Sequence, residues 1–506
     1  MPVARTLAIA LHGVDGSVVE IEADLANGLP AFTIIGLPDA ALGEAKDRVR
    51  SAAANSGCDL PTRRVTVNLS PASLPKHGSG FDLGIAVAAL ATTGIVAEAA
   101  ISSVVHLGEL SLDGRLRPVS GILPAVLAAR RAGARMVVVP SGNATEARLV
   151  PGIRIVGAAS LREVLIVHGA ALDPVPVEPL AVASAADSAP ESGDLADVVG
   201  HPEAVEALQV AAAGGHHMLM LGPPGAGKTL LASRLPGLLP DLEPDAAVEV
   251  SSIRSLAGLP LGNSLVTRPP LEAPHHSATM ASLIGGGSGL VRPGAISRAA
   301  HGVLFLDEAP EFSGAVLDAL RQPLETGEIT IHRARTVARF PARFQLVLAA
   351  NPCPCGNGGN DECTCTPMMR RRYLGRLSGP LLDRIDLHLT VRRVGVAQMT
   401  DGASEGATSA TARVRVAAAR ARARARWAEN GWALNAHVPG PALRTEAWRL
   451  PAADRAALDR ALERGAITMR GYDRVLRVAW SIADLDGVDR PGRDQLGRAL
   501  YLRKGI

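Results

Sequence analysis

The chain has 506 residues, 47% of them apolar and 20% charged. That composition excludes wholesale disorder and fits about three domains at roughly 150 residues each. A formal charge of +3 is too near zero to signal nucleic acid by itself, and 3% aromatics argue against base-stacking platforms as the main business of the protein. The longest apolar stretches, such as Ile85–Val96, are broken by small residues and fall short of the ~18 needed for a spanning helix. The opening MPVARTLAIALHG reads as a strand and lacks signal-peptide architecture, so a cytoplasmic protein is expected. Only four lysines stand against 48 arginines, so a lysine inside a motif is informative and an extra arginine is not.

In chain order, Val18–Leu25, Phe32–Ile35, Arg64–Leu69, Val104–Leu110 and Met136–Val139 are predicted strands. Ala40–Asn55, Asp82–Ala91 and Ile122–Ala132 are predicted helices, the last followed by Gly133 as its C-cap. Residues 1–170 therefore form a mixed α/β domain. Residues 171–195 are rich in Pro, Ala and Ser without periodicity and read as a linker. A second α/β region covers 196–396. A polar joint at 400–411 leads into a helical C-terminal region, 397–506 in all.

The second region opens on a phosphate site. Met218–Leu221 is a short apolar strand running into Gly222-Pro223-Pro224-Gly225-Ala226-Gly227-Lys228-Thr229 and an apolar helix, Leu230–Leu235. Glycines let backbone wrap phosphates, and the following helix offers free N–H groups at its positive dipole end. Lys228 is expected to neutralise the β/γ-phosphates of ATP, and Thr229 to ligate Mg²⁺. Val303–Leu306 is a buried strand with Asp307 and Glu308 at its C-terminal tip, where parallel sheets bind ligands. Asp307 is the second Mg²⁺ ligand, and Glu308 the base that orients and deprotonates the attacking water. The strand Phe344–Ala350 ends in Asn351, placed either to sense the γ-phosphate or merely to turn before Pro352.

Cys353, Cys355, Cys363 and Cys365 are spaced CxC–x7–CxC, with Gly and Asn between. Four thiolates on a tight loop suit a tetrahedral structural Zn²⁺; free or redox-labile thiols are the alternative. Cys58 stands apart as a small buried residue.

The runs APHHSAT (273–279), IGGG (284–287), RPGAISRAAHGVLFLDEAPEF (292–312), LRQPLETGEI (320–329), AANPCPCG (349–356) and SGPLLDRIDLHL (378–389) resemble the magnesium-chelatase-like AAA+ ATPases of the YifB/ComM type. The resemblance covers essentially the whole chain. It implies a hexameric ring of self-copies that hydrolyses ATP, and a DNA helicase that promotes branch migration during natural transformation. Arg384, in LLDRID, matches the arginine finger that enters a neighbouring subunit's site, and Arg470, in ITMRGYDRVLR, matches the second sensor on the helical lid. Arg474 and Arg477 lie four and seven residues on, along the same face, as rivals for that role.

Two segments between Glu328 and Phe344 read as a hairpin. By the resemblance it points into a ring pore, so that Arg333, Arg335 and Arg339 contact DNA phosphate without sequence readout; an ordinary surface hairpin is the alternative. The Gly285–Gly287 loop is a second pore candidate. His275 and His276 are either phosphate-near or packing residues.

Pro75–Leu90 and Leu107–Pro140 resemble the proteolytic domain of Lon, but the Ser position falls near Phe81–Asp82 and no Lys lies between Lys76 and Lys228. With Ser79 lacking a Lys partner, the resemblance implies a non-proteolytic relative. Arg413, Arg415, Arg420, Arg422, Arg424 and Arg426 form two opposed stripes on a helix, fitting either a clamp onto DNA or a solvated linker helix, the second preferred. The expected fold is thus α/β: a P-loop AAA+ core, a C-terminal helical lid and an N-terminal Lon-protease-like, ribosomal-protein-fold-like α/β domain. The rival functions are a chelatase motor subunit for metal insertion and an AAA+ protein-remodelling chaperone.

Overall fold

In the segment Asp15–Ala26, side chains at odd positions from Val19 to Leu25 are buried and those between them are half-buried, which is the period of a strand with one covered face. The computed structural model describes residues 3–36, 44–180, 193–287, 291–332, 337–357, 363–395 and 408–504. Its first sheet has seven strands. They are β1 (Val3–His12), β2 (Asp15–Ala26), β3 (Ala31–Ile35), β4 (Arg64–Ser70), β5 (Val104–His106), β6 (Met136–Pro140) and β7 (Arg154–Ala158), in the order β3-β4-β2-β1-β5-β6-β7. The β1/β2 and β2/β4 pairs are antiparallel and the other described pairs parallel.

Helices α1 (Ala45–Asn55), α2 (Asp82–Ala91), α3 (Ile122–Arg131) and α4 (Leu161–Val167) cover this sheet. All ten residues of α2 are buried, as its unbroken apolar run requires. The strand expected over Val104–Leu110 is broken in two. After His106 the chain leaves the ladder: the Gly108 N–H donates to the Gly80 carbonyl, the Leu83 N–H donates to the Gly108 carbonyl, and Glu109–Leu110 pairs instead with Leu116–Arg117. The sequence reading missed β7 and α4. The first four residues of the helix expected over Ala40–Asn55 fall in 37–43, outside the described residues.

The Lon-like nucleophile and base are absent as a pair. Lys76 is fully buried, and its ammonium donates to the Gly36, Leu69 and Pro71 carbonyls. Ser79 bonds the Glu109 carboxylate instead. Asp82, also buried, is held by Arg48 at 2.7 Å.

The second sheet has five strands. They are β8 (Met218–Leu221), β9 (Leu271–Glu272), β10 (Val303–Leu306), β11 (Gln345–Ala350) and β12 (Leu387–Thr390), in the order β9-β10-β11-β8-β12, all parallel. Helices α5 (Pro202–Gly214), α6 (Lys228–Leu238) and α7 (Pro244–Leu256) connect and flank it.

The C-terminal helices α8 (Ser409–Arg426), α9 (Ala452–Glu463), α10 (Met469–Asp486) and α11 (Arg493–Lys504) share one core with this sheet. Met218, Met220, Leu231 and Leu235 pack in the same cluster as Val416, Trp427, Val475 and Trp480. All four tryptophans of the chain, Trp427, Trp432, Trp448 and Trp480, stack around one another there.

The arginine run is only in part a solvated face: Arg415, Arg422 and Arg424 are exposed, whereas Arg413, Arg420 and Arg426 are half-buried. The buried stripe of α8 is Ala412, Val416, Ala419 and Ala423, whose small side chains admit close neighbours, and the arginines beside it reach the open carbonyls at the ends of three helices. Arg420 donates to Ala212 at the end of α5, Arg413 to Gly237 at the end of α6, and Arg415 and Arg422 to Leu485 and Asp484 at the end of α10. Helix C-termini leave carbonyls without intrahelical donors, and a guanidinium is both a donor and a favourable charge there. Arg426 closes the set on the buried Asp484 carboxylate.

The two α/β units are in contact. The Gly121 N–H donates to the Ser255 carbonyl at 3.1 Å, and Ser255 bonds Glu146. The expected hairpin forms from Glu328–His332 and Val337–Pro341, the second strand ending before Phe344. One of its faces, Ala338 and Phe340, packs on Leu11 and Val14 at the β1–β2 turn. Gly13 bridges to Arg339 so closely that a Cβ there would stand 2.1 Å from the Arg339 carbonyl oxygen. The Arg339 side chain is exposed on the opposite face. Arg333 and Arg335 fall in 333–336, outside the described residues. Gly285–Gly286 pairs with Arg292–Pro293 as a second, shorter ladder.

Candidate nucleotide site

The strand–loop–helix from Met218 to Leu238 forms as its sequence requires. Gly225 and Gly227 take φ of +75° and +87°, which side chains resist, and Gly222 lies so near the Val391 carbonyl that a Cβ would stand 2.2 Å from it. Gly227 caps α6 without a side-chain acceptor, so the first N–H groups of the helix remain available to an anion. Pro223, Pro224 and Ala226 complete the turn.

Lys228 opens α6 and is buried. Its ammonium donates to Gly222 O at 2.6 Å, Pro223 O at 3.0 Å and Asn351 Oδ1 at 3.0 Å. Burial lowers its pKa, while Asp307 and Glu308 partly offset that. A phosphate oxygen would restore the counter-charge that the carbonyls supply only in part. Thr229 Oγ1 donates to Asp307 Oδ2 at 2.7 Å. A hydroxyl and a carboxylate in contact are hard oxygen donors of the kind Mg²⁺ takes, so the two residues fit that ion.

Glu308 is one of two non-glycine residues with positive φ among those described, at +50°. The left-handed turn swings its half-exposed carboxylate away from Asp307 and toward His276 Nδ1, 3.4 Å off. Such a conformation costs energy and is kept where surrounding structure over-determines it. His276 thus belongs to the site, with His275 stacked on it at 4.0 Å and bonded to Ser277.

Asn351 ends β11 and meets Lys228, so the three strand tips Leu221, Leu306 and Ala350 bring loop, carboxylates and amide together. Two further contacts were not anticipated. His201, before α5, hydrogen-bonds the backbone of Ala226. The buried hydroxyl of Tyr373 takes a hydrogen bond from the Asn351 backbone, and burial with the Glu311 and Glu308 charges pushes its pKa up to about 12. The only sequence signals were a His before Pro202 and an aromatic in an arginine-rich helix.

Arg384 stands at the other end of the sheet. It precedes β12, whose neighbour β8 begins at Met218, and Asp386 N–H bonds His217 O just before that strand. Four residues of strand at roughly 3.3 Å each put it on the order of 13 Å below the phosphate loop of its own chain. Its guanidinium pairs with Glu325 and donates to Pro380 O, leaving Nε without a partner. Arg470 is with it rather than over the loop: its side chain is 74% exposed and lies 3.5 Å from Asp383. Arg474 is locked on Asp386, which is 3% exposed, and on the Arg384 carbonyl. Arg384, Arg474, Arg477, Arg420 and Arg343 line a cavity of about 1050 Å³ between the sheet and the C-terminal helices, away from the phosphate loop.

The four cysteines converge. Sγ separations are 3.3 Å for Cys353–Cys355, 3.8 Å for Cys353–Cys363 and 3.6 Å for Cys355–Cys363, and Cys365 keeps all four sulfurs within 4.8 Å of one another. Tetrahedral zinc with Zn–S bonds of about 2.3 Å sets sulfurs roughly 3.8 Å apart, so the thiols fit that ion. The thiols share their protons: a hydrogen bond from the Asn357 backbone, aided by Cys353, pulls the Cys355 thiol down to about 6, while, against a hydrogen bond from the Cys355 backbone, burial and the neighbouring thiols push Cys365 up to about 11.

Comparison with known proteins agrees with this geometry. A family model described as magnesium chelatase, subunit ChlI, matches residues 194–399; models for subunit ChlI of Mg-chelatase and for its C-terminal part match 21–143 and 406–503. The chain is 50% identical over 507 residues to an uncharacterized protein of Mycobacterium tuberculosis, covering 100% of this chain and 99% of that one. It is 41% identical over 504 residues to competence protein ComM of Haemophilus influenzae, covering 99% and 98%. It is 40% identical over 497 residues to the uncharacterized protein YifB of Escherichia coli, covering 98% and 96%. It is also 29% identical over 176 residues to Lon protease of Mycolicibacterium smegmatis, covering 33% of this chain and 22% of that one. Among the described residues no helix is long and apolar enough to cross a membrane.

Proposed function

We propose that this chain, which belongs to the magnesium-chelatase-like AAA+ ATPases of the YifB/ComM type, works as a homohexameric ring that turns ATP hydrolysis into movement along branched or single-stranded DNA, driving branch migration as in natural transformation. The observation that carries the ring is the place of Arg384: on the order of 13 Å of strand separates it from the phosphate loop of its own chain, so it serves a site only in another copy. Head-to-tail contacts that join unlike surfaces close into rings. The DNA part of the reading comes from the likeness to competence protein ComM.

Within one site, Lys228 moves from the Gly222 and Pro223 carbonyls to the β/γ-phosphates. Thr229 and Asp307 are the pair that would hold Mg²⁺, which supplies counter-charge to the phosphates when bound. Asn351, already on Lys228, faces the γ-phosphate. Glu308 orients the attacking water and takes its proton, and His276 holds that carboxylate in its left-handed turn. Arg384 and Arg470 of a neighbouring copy stabilise the charge spread over the leaving phosphoryl group. The cysteine cluster is a structural zinc site, and Arg339, with Arg333 and Arg335, contacts DNA phosphate.

The test mixes two inactive variants. Arg384→Ala and Lys228→Ala subunits should each fail alone and recover hydrolysis when mixed, because one chain supplies the loop and the next the finger. No recovery at any ratio in rings shown to form refutes a finger acting between copies. Forked or four-way DNA should stimulate the wild-type ATPase; hydrolysis indifferent to DNA turns the reading toward a chelatase motor or a chaperone.

A further inference from the structure

The cysteine loop leaves Asn351 and comes back to it. Cys353 follows Asn351 by two residues, and Tyr373, beyond Cys365 on the helix Pro367–Leu374, returns its hydroxyl to the Asn351 backbone. The near side of the excursion lies on the phosphate loop. Gly356 is buried with φ of +83°, and a Cβ there would stand 2.6 Å from Cγ and Cδ of the Pro224 ring. Its N–H bonds the Cys353 carbonyl at 3.0 Å, so the tight turn Cys353–Gly356, which carries the first two thiols, is the part that touches Pro224. From the other side Arg393 Nε reaches the Pro224 carbonyl at 3.3 Å. The side chain of Asn351 meanwhile fixes Lys228. The loop that carries the four thiols is therefore the packing partner of the phosphate loop and the mount of the residue that holds its lysine.

A loop rich in Gly and Asn has little apolar burial to hold one conformation, and a single soft divalent cation on four thiolates closes it where side-chain packing cannot. We propose that occupancy of the four-cysteine site by zinc sets the affinity of the adjacent site for ATP. This rests on the zinc assignment above. With the metal, the turn at Gly356 seats Pro224 and the loop's two ends hold Asn351 on Lys228. Without it, the phosphate loop is competent only for the fraction of time that the turn is seated. Apparent affinity scales with that fraction, so a chain seated about one tenth of the time binds ATP about tenfold more weakly.

The experiment uses the full chain, purified reduced and analysed for metal. ATP affinity is measured with a fluorescent ATP analogue in magnesium buffer, then again after a zinc-selective chelator with a thiol reductant, and once more after Zn²⁺ is restored. The expected result is about one zinc per chain, a fall in affinity of about tenfold on stripping, and recovery on reloading. Gly356→Val keeps all four thiols but drives a side chain into Pro224. It should keep its zinc and still bind ATP more weakly. One zinc per chain with ATP affinity unchanged by stripping and by Gly356→Val overturns the coupling and leaves the zinc assignment standing. Absence of bound zinc overturns both. Weakened ATP binding accompanied by loss of the native tryptophan fluorescence, which reports the core shared by the C-terminal helices and the parallel sheet, marks general unfolding and also overturns the coupling.

Discussion

Acid should loosen the N-terminal domain through one buried histidine. His106 is fully buried; its Nδ1 lies 2.7 Å from Thr6 Oγ1 and its Nε2 2.8 Å from His168 Nε2. The chain of bonds is satisfied by a neutral ring, with Thr6 donating to the Ile101 or Val104 carbonyl. A proton on Nε2 would face either the His168 proton or a second positive ring. Burial first, and His168 second, lower the His106 pKa from 6.5 to about 3. The native state thus binds fewer protons than the unfolded chain between those values, and stability is lost as pH falls below 6.5. One pH unit corresponds to about 1.4 kcal/mol, so the loss is about 2 kcal/mol at pH 5, with a ceiling of roughly 5 kcal/mol below pH 3. Tryptophan fluorescence is blind to this, since all four tryptophans lie in the C-terminal region. Hydrogen exchange of the Val3–His12 and Val104–His106 amides is the suitable assay. His106→Gln should exchange faster than wild type at pH 7, and the gap should narrow by about 2 kcal/mol at pH 5, once exchange is corrected for intrinsic rates. Parallel loss of protection in both proteins would show that His106 is not the group that titrates.

Four further outcomes follow from the described contacts. Lys228→Ala should lose ATP binding in a titration, whereas Glu308→Gln should bind and fail to hydrolyse; equal affinity in Lys228→Ala and wild type would contradict the phosphate assignment. Arg474→Ala leaves the Asp386 carboxylate, 3% exposed, with the buried His216 ring beside it and should cost about 3 kcal/mol in denaturant unfolding followed by tryptophan fluorescence. Arg470→Ala, at an exposed position, should stay within about 0.5 kcal/mol of wild type while slowing hydrolysis in assembled rings. Gly13→Val cannot keep its contact with the Arg339 carbonyl, so exchange in Val337–Pro341 should rise; unchanged protection there would mean the hairpin holds itself.

The nucleotide site was legible in the sequence because each part is local. A phosphate loop is a contiguous run whose glycines and lysine must fall in fixed order, and Asp307, Glu308 and Asn351 each end an apolar strand that announces its own tip. Parallel pairing then brings the tips together without further instruction. The cysteines were legible for the same reason, since their spacing alone confines them to one loop. What the sequence could not decide is which long side chains meet. Six arginines on one helix look alike in a string, and only the arrival of the ends of α5, α6 and α10 turns four of them into caps. Arg470, Arg474 and Arg477 share a helix face, and burial of Asp386 alone separates the locked Arg474 from the exposed Arg470. His276, His201 and Tyr373 reach the site from segments far apart in the chain, with no periodicity to mark them. The expected strand over Val104–Leu110 failed at Gly108 because a bond to Gly80, across the fold, outcompeted the ladder. Local order along the chain determined the chemistry; contacts between distant elements decided which charges that chemistry can use.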